Sequence, residues 1–170
     1  MSPEIPATDV RSDALRLLSN GLYVLTACLN DTLHAATISW VSQVAFQPPL
    51  VMIALQRNSH LAHAVRKAHR YAVNILDTNQ QALAEKFFAH LTAPAGTQAL
   101  AGYALRDGVA HCPLITDAMA WLECRLADEL PNPGDHSLLV GEVTGAGIRR
   151  QGAPIVLWET PWSYGGLSES

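Results

Sequence analysis

The sequence predicts a mainly β protein, an antiparallel barrel with about three helices on its outside. Runs rich in β-branched and aromatic residues recur along the chain, bounded by turn signals such as Asn30-Asp31, Pro48-Pro49 and the segment PNPGD at 131–135. The helical patterns between them do not alternate regularly with strands, as a parallel sheet would require. No internal repeat or low-complexity segment is present. At 170 residues the chain is most economically one domain, with six or seven strands.

The elements follow in order. Residues 1–8 read as a disordered leader, with neither the basic start nor the apolar stretch of a signal peptide. A helix comes next, with Asp9 or Ser12 as its cap, Val10, Leu15, Leu17 and Leu18 as its apolar stripe, and Asn20-Gly21 as its stop. Residues 23–27 form a strand, and Asn30-Asp31 turns the chain into the next. The stretch from His34 to Ser59 is expected to supply the second and third strands of a meander, divided at Pro48-Pro49, which lack ladder donors. Its first run carries hydroxyls where a core strand would carry aliphatics. Thr37, Ser39, Trp40, Ser42 and Gln43 read as an edge that meets something polar. Its second run, residues 50–55, is wholly apolar and ends in Gln56, Arg57, Asn58 and Ser59.

Ser59 has the chemistry of a helix cap for residues 60–67, with Leu61, Ala64 and Val65 facing inward. Residues 71–76 form a strand. Thr78 and Gln81 have capping-box spacing for a helix running to about Leu91. Residues 92–108, rich in Gly, Ala and Pro, are the expected irregular or mobile region. A strand carrying Trp121, Cys124 and Leu126 runs toward Leu130. Another follows the 131–135 turn, a last covers 154–158, and a tail holds Trp162, Ser163 and Tyr164.

Composition narrows the function. Hydrophobic residues make up 49% and charged ones 15%, so a second copy is expected to cover part of the surface. The net charge of −4, with no basic block, speaks against a nucleic-acid partner. Cys28, Cys112 and Cys124 are odd in number and widely spaced, which fits a reducing cytoplasm. No apolar run approaches the roughly 18 residues of a membrane helix. His60 and His63 are three apart, and His111 adjoins Cys112, but no carboxylate stands at fixed spacing, so no metal site is expected. There is also no Gly-rich dinucleotide fingerprint. A nicotinamide, if used, binds transiently.

Several segments, in order and spacing, match one family. They are Ala35-Ala36-Thr37, Ser39-x-x-Ser42, Pro48-Pro49-Leu50-Val51, Ser59, Ala72-Val73-Asn74-Ile75-Leu76, Gln80 and Leu83-Ala84, then Gly134-Asp135-His136-Ser137-Leu138 and Gly141-Glu142-Val143. Over residues 12 to 166 the chain resembles the short-chain flavin reductases with an FMN-binding split barrel. The resemblance implies an antiparallel split β-barrel of Greek-key type, a homodimer, and FMN or FAD as flavin. NADH or NADPH would be the co-substrate, and a monooxygenase a possible recipient of reduced flavin. It places flavin contacts on Thr37, Ser39, Trp40, Ser42, Gln43, Gln56, Asn58 and Ser59, with Asn74 and Gln80, and sets His136 beside the flavin and nicotinamide rings. Ala45-Phe46-Gln47 departs from the serine and acidic residue of many members, which bears on flavin or partner preference.

The chemistry fits these residue types. A flavin performs hydride transfer itself, so the protein need only hold, orient and tune it. Short hydroxyls reach ring carbonyls and nitrogens without filling the nicotinamide slot. A helix capped by Ser59 turns free N–H groups toward a phosphate, and Arg57 would add charge there. Plainer readings stand beside these. Thr37, Ser39 and Ser42 are also what the solvated side of a strand looks like, Ser59 a simple cap, Asn74 a tie for a turn, Trp40 core, and His136 an exposed turn residue. Three functions remain: an NAD(P)H:flavin oxidoreductase, a flavin-binding electron carrier or sensor without nicotinamide turnover, and an oxidase of the pyridoxamine-phosphate type. The Gly-Asp-His segment favours the first. The donor preference is expected to lie in residues 92–108 and the tail.

Overall fold

The structure, a computed structural model, describes residues 7–166. The expected leader thus falls mostly outside the described residues, and Ala7 already opens helix α1 (Ala7–Arg16). Strand β1 (Tyr23–Leu29) turns into β2 (Thr32–Ile38) through Asn30 and Asp31, at φ 48° and 60°. Those left-handed values suit Asn and Asp and match the twist of a tight hairpin. β3 (Val41–Ala45) and β4 (Leu50–Gln56) form a second hairpin around Pro48-Pro49. Helix α2 (His60–Ala68), β5 (Arg70–Ile75) and helix α3 (Gln81–Lys86) follow. Short strands β6 (Leu91–Pro94), β7 (Ala99–Leu100), β8 (Tyr103–Asp107) and β9 (Pro113–Ile115) come next. The long hairpin β10 (Ala120–Leu130) and β11 (His136–Ile148) completes the sheet.

Eight strands form one antiparallel sheet in the order β3-β4-β11-β10-β5-β1-β2-β6, and β7-β8-β9 form a small second one. The expected meander is therefore wrong in its middle. β2 and β3 are consecutive in the chain yet lie six strands apart in the sheet, joined only by Ser39 and Trp40. Laid flat, that separation is about 29 Å, whereas three Cα steps reach at most about 11 Å. The sheet must curl into a barrel. Among the described strands no ladder joins β6 to β3, so the barrel stays split along that seam.

Two large apolar clusters and a small one around Ala72, Cys112 and Leu114 fill the interior. One gathers Leu25, Ile53, Val73 and Leu139 under Leu61 and Val65 of α2. The second packs Leu83 of α3 against Leu76, Phe87, Ile115 and Ile155. Tyr71 lies in the first, and a Cβ at Gly141 would come 2.1 Å from its hydroxyl, so glycine is required there. Cys112 and Cys124 are buried, which pushes both thiols up to about 12, and all three cysteines are free.

Several expectations need correction. Among the described residues the strands number eleven, not six or seven. Asp9 and Ser12 lie within α1 rather than at its cap, and Leu17 and Leu18 lie past its end. The stripe does not enter the core of this chain, since Val10, Leu15, Leu17 and Leu18 are 43–66% exposed. Thr78 caps nothing: Gln80 holds the cap position of α3, and that helix stops at Lys86 because Phe87 turns into the core. Residues 92–108 carry short strands. Residues 154–158 make two isolated bridges, Asp77 to Pro154 and Gly21 to Val156, and run into a single 3-10 turn, Leu157–Glu159. Among the described residues, no helix is long and apolar enough to cross a membrane.

Candidate functional site

Around the Ser39-Trp40 link lies a cavity of about 610 Å³. Its walls are the end of β2, the Ser39-Trp40 link, the end of β4, the first turn of α2, and Trp162 to Tyr164 of the tail. The sequence explains how each polar group arrives. Thr37 is tied down from both sides: its Oγ1 donates to the Ala84 carbonyl at 2.8 Å, and the Phe87 carbonyl accepts from its N–H at 2.7 Å. Ser39 follows where β2 ends, and it is only 6% exposed. Its hydroxyl has no partner, and such a group costs about 1–3 kcal/mol of desolvation. Tyr71 Oη is the other unpartnered buried oxygen among the described residues, but it sits in the core against the Cys124 thiol. Only Ser39 faces the cavity.

Ser59 is the N-cap of α2, its Oγ accepting from the Ala62 N–H at 3.1 Å. The amides of His60 and Leu61 begin the helix beside the cavity, where first-turn N–H groups have no partner within the helix. The first turn carries no acidic side chain, so the positive end of the helix is not neutralised locally.

His136 arrives from the far end of the chain. It begins β11, and the ladder with β4 sets it opposite Gln56, which also lines the cavity. Its Nδ1 lies 2.7 Å from Asp135 Oδ1, and this partner holds the Asp135 carboxyl below its usual range. The Trp40 ring packs 4.6 Å from the His136 ring and 5.5 Å from Tyr164. Trp40 is thus part of the cavity wall, not of the barrel interior.

Other expected residues stand elsewhere. The Arg57 guanidinium donates to the Asn132 and Gly134 carbonyls, each at 2.7 Å, and the Arg57 N–H donates to the Asp135 carbonyl at 2.9 Å. It pins the turn that carries His136 instead of lining the cavity. Asn58 borders a separate groove with Arg57 and Arg66. There Arg66 makes a two-pronged pair with Glu129, both contacts 3.0 Å, which holds that carboxyl below its usual range, and it also bonds Ser137 Oγ. Ser42 and Gln43, on β3, border a third hollow against Pro49 and Leu122. Asn74 is fully buried: its amide donates to the Val24 carbonyl at 2.9 Å and accepts from the Ile115 N–H at 2.8 Å. Gln80 donates to the Asp117 carbonyl at 2.7 Å and accepts from the Asp77 N–H. The cavity therefore gathers Thr37, Ser39, Trp40, Gln56, Ser59 and His136, and leaves out Ser42, Gln43, Arg57, Asn58, Asn74 and Gln80.

It also contains residues that sequence reasoning did not place at the site, above all His60, weighed there only as a metal ligand, with His90 and Phe88. Phe88 meets Trp162 edge-on at 4.8 Å, which ties the tail to the wall. No spacing rule connects these positions. Apolar walls with a few convergent polar groups, one orphaned hydroxyl and a free helix end suit a flat ring system with a polar edge and an anionic tail. A flavin nucleotide has this form, and the cavity volume lies in the ordinary ligand range of roughly 300–1,000 Å³.

A family model for the flavin reductase like domain matches residues 15–162. The chain belongs to that family. It is 35% identical to an NADPH-flavin oxidoreductase of Streptomyces viridifaciens, over 83% of this chain and 72% of that one. It is 33% identical to the reductase component of a 4-nitrophenol 4-monooxygenase/4-nitrocatechol 2-monooxygenase of Rhodococcus opacus, over 75% of this chain and 65% of that one. It spans less than a quarter of the diflavin flavoproteins that it also matches. Among solved structures, the flavin reductase PheA2 superposes with a TM-score of 0.73 at 25% identity, covering 89% of this chain and 93% of that one. The mainly β antiparallel architecture expected from the sequence is thus the architecture of this flavin reductase family.

Proposed function

We propose that this flavin reductase family member transfers hydride from NADH or NADPH to FMN or FAD bound in the cavity beside the Ser39-Trp40 link. The observation that carries the reading is the Ser39 hydroxyl, buried on the cavity wall without a partner. A ligand with polar ring edges satisfies it, and an empty apolar hollow gives it no purpose. The flavin, when bound, supplies the redox chemistry. The chain supplies the rest. Ser39 offers a hydrogen bond to the ring edge, and Thr37, fixed by its two bonds, shapes the wall beside it. The free amides of α2 would hold a phosphate of the bound nucleotide. His136, with Nδ1 held by Asp135, presents its other nitrogen for orienting a nicotinamide amide or delivering a proton. Trp162 and Tyr164 limit water on the open side. A second copy of the chain covers the exposed apolar residues around α1, and the protein works in the cytoplasm. The relative that serves as a reductase component supports a monooxygenase as recipient of the reduced flavin.

The visible spectrum of purified protein mixed with FMN or FAD tests this directly. The flavin band should bleach on adding NADH or NADPH without air and return with oxygen. His136→Ala should slow bleaching about a hundredfold with flavin affinity little changed. Protein that binds flavin but bleaches with neither nicotinamide would be an electron carrier instead.

A further inference from the structure

Three histidines, on β2, at the start of α2 and in the connection between α3 and β6, stack at one end of the cavity. The His34 ring, on β2, lies 5.1 Å from that of His90 with the planes 20° apart. The His60 ring lies 5.8 Å from His90 at 17°. His34 Nδ1 and His90 Nε2 are 3.0 Å apart, so one donates to the other. His60 and His90 line the cavity, beside Ser59 and the open end of α2. Ser39, with its unpartnered and nine-tenths buried hydroxyl, lines the same cavity. Burial holds His34 and His90 below the ordinary histidine value, and neighbouring histidines push the same way: His60 and His63 act on His34, and His34 and His60 act on His90. Among the described residues no carboxylate acts on either ring. Placing a proton on His34 or His90 is therefore disfavoured by this setting, and an anion held against the rings would offset that cost.

We propose that His60 and His90, backed by His34 and joined by the N-terminus of α2, form a proton-linked subsite for the phosphate group of a nucleotide ligand. This rests on the reading of the cavity as a flavin site. A phosphate monoester placed against the stack favours the imidazolium form, so the bound complex takes up a proton that the free protein lacks. Affinity for the phosphorylated ligand must then rise as pH falls toward the histidine range. Below about pH 6 the phosphate begins to lose its second charge, so the effect belongs to the interval from about pH 8 to 6.5. The phosphate has two sources, the 5′-phosphate of the flavin and the 2′-phosphate of NADPH. Either satisfies the chemistry.

The test compares ligands that differ only in that group. Binding of FMN and riboflavin is followed by flavin fluorescence, and binding of NADPH and NADH by protein fluorescence, at pH 8 and pH 6.5. If the flavin phosphate is the ligand, FMN binding tightens at least threefold on acidification while riboflavin barely changes. His60→Gln and His90→Gln each flatten the response of FMN binding to pH. Calorimetry of the wild type in buffers of different ionisation enthalpy then shows proton uptake with FMN alone. If the pH-dependent difference separates NADPH from NADH instead, the same subsite holds the nicotinamide phosphate. Riboflavin and FMN binding with equal pH dependence, together with equal behaviour of the two nicotinamides, overturns the subsite and leaves the flavin reading standing. Failure of every flavin to bind overturns the flavin reading itself, and the subsite with it.

Discussion

Asn74 and Ser39 are both buried polar residues in the barrel wall, and they do opposite things. Asn74 is 0% exposed and fully engaged, giving hydrogen bonds to β1 and receiving one from β9. Ser39 is 6% exposed and engaged with nothing. The first spends its polarity on joining strands of the two sheets. The second keeps its polarity free at a cavity. Satisfied groups build the frame, and the unsatisfied one marks where a ligand belongs.

This contrast can be broken by mutation. Asn74→Ala removes both ends of a buried network and should cost roughly 3 kcal/mol in urea unfolding, while flavin affinity of the folded fraction stays near wild type. A loss below about 1 kcal/mol would put Asn74 outside the frame. Arg57→Met should loosen the turn that presents His136 and lower kcat/KM for the nicotinamide about tenfold, some 1.4 kcal/mol. Flavin affinity should move much less. An equal loss in both would mean that Arg57 meets the flavin after all. Ser39→Ala should weaken flavin binding threefold to tenfold, about 0.5–1.5 kcal/mol, with urea unfolding of the flavin-free protein unchanged or slightly harder. Destabilisation of that form would make Ser39 another frame residue.

The smallest effect concerns pH. His34 and His90 titrate below the ordinary value of 6.5 when folded. As pH falls through 6.5 the unfolded chain takes up protons that the folded chain refuses, so stability present above 6.5 declines until the folded values are passed. The melting temperature without ligand should drop by a few degrees between about pH 7.5 and 5.5, and by less in His34→Gln. A drop of the same size in that variant would shift the cause away from the stack.

Local features were legible in the sequence, and assembled ones were not. The Ser59 cap depends on a hydroxyl three residues from its donor, and the first hairpin depends on Asn30 and Asp31 alone. Both are visible in a short window. The Thr78 cap failed because Gln80 and Asp77 satisfy that turn in another way. β9 is three residues long and carries a proline, too little for any period to register. Nothing along the chain distinguishes Asn74 from Ser39, since each is one polar residue in an apolar run. Their difference lies in whether β1 and β9 or a cavity stands opposite. The histidine stack escaped for the same reason: positions 34, 60 and 90 share no helix or strand. His136 was picked out by resemblance, but its seat opposite Gln56 belongs to a pairing across 80 residues of chain.

The two-residue link between β2 and β3 has a consequence for the order of assembly. Until the sheet curls, the stretch around Ser39 and Trp40 is only a slack tether between two independent hairpins. The β3–β4 hairpin has one other neighbour, β11, which leaves the ribosome about 80 residues later. A nascent chain can fold the β1–β2 hairpin early and cannot yet possess the cavity. A flavin held in the cavity as proposed would close the barrel like a clasp, and its grip would add to stability only once the last long strand has arrived.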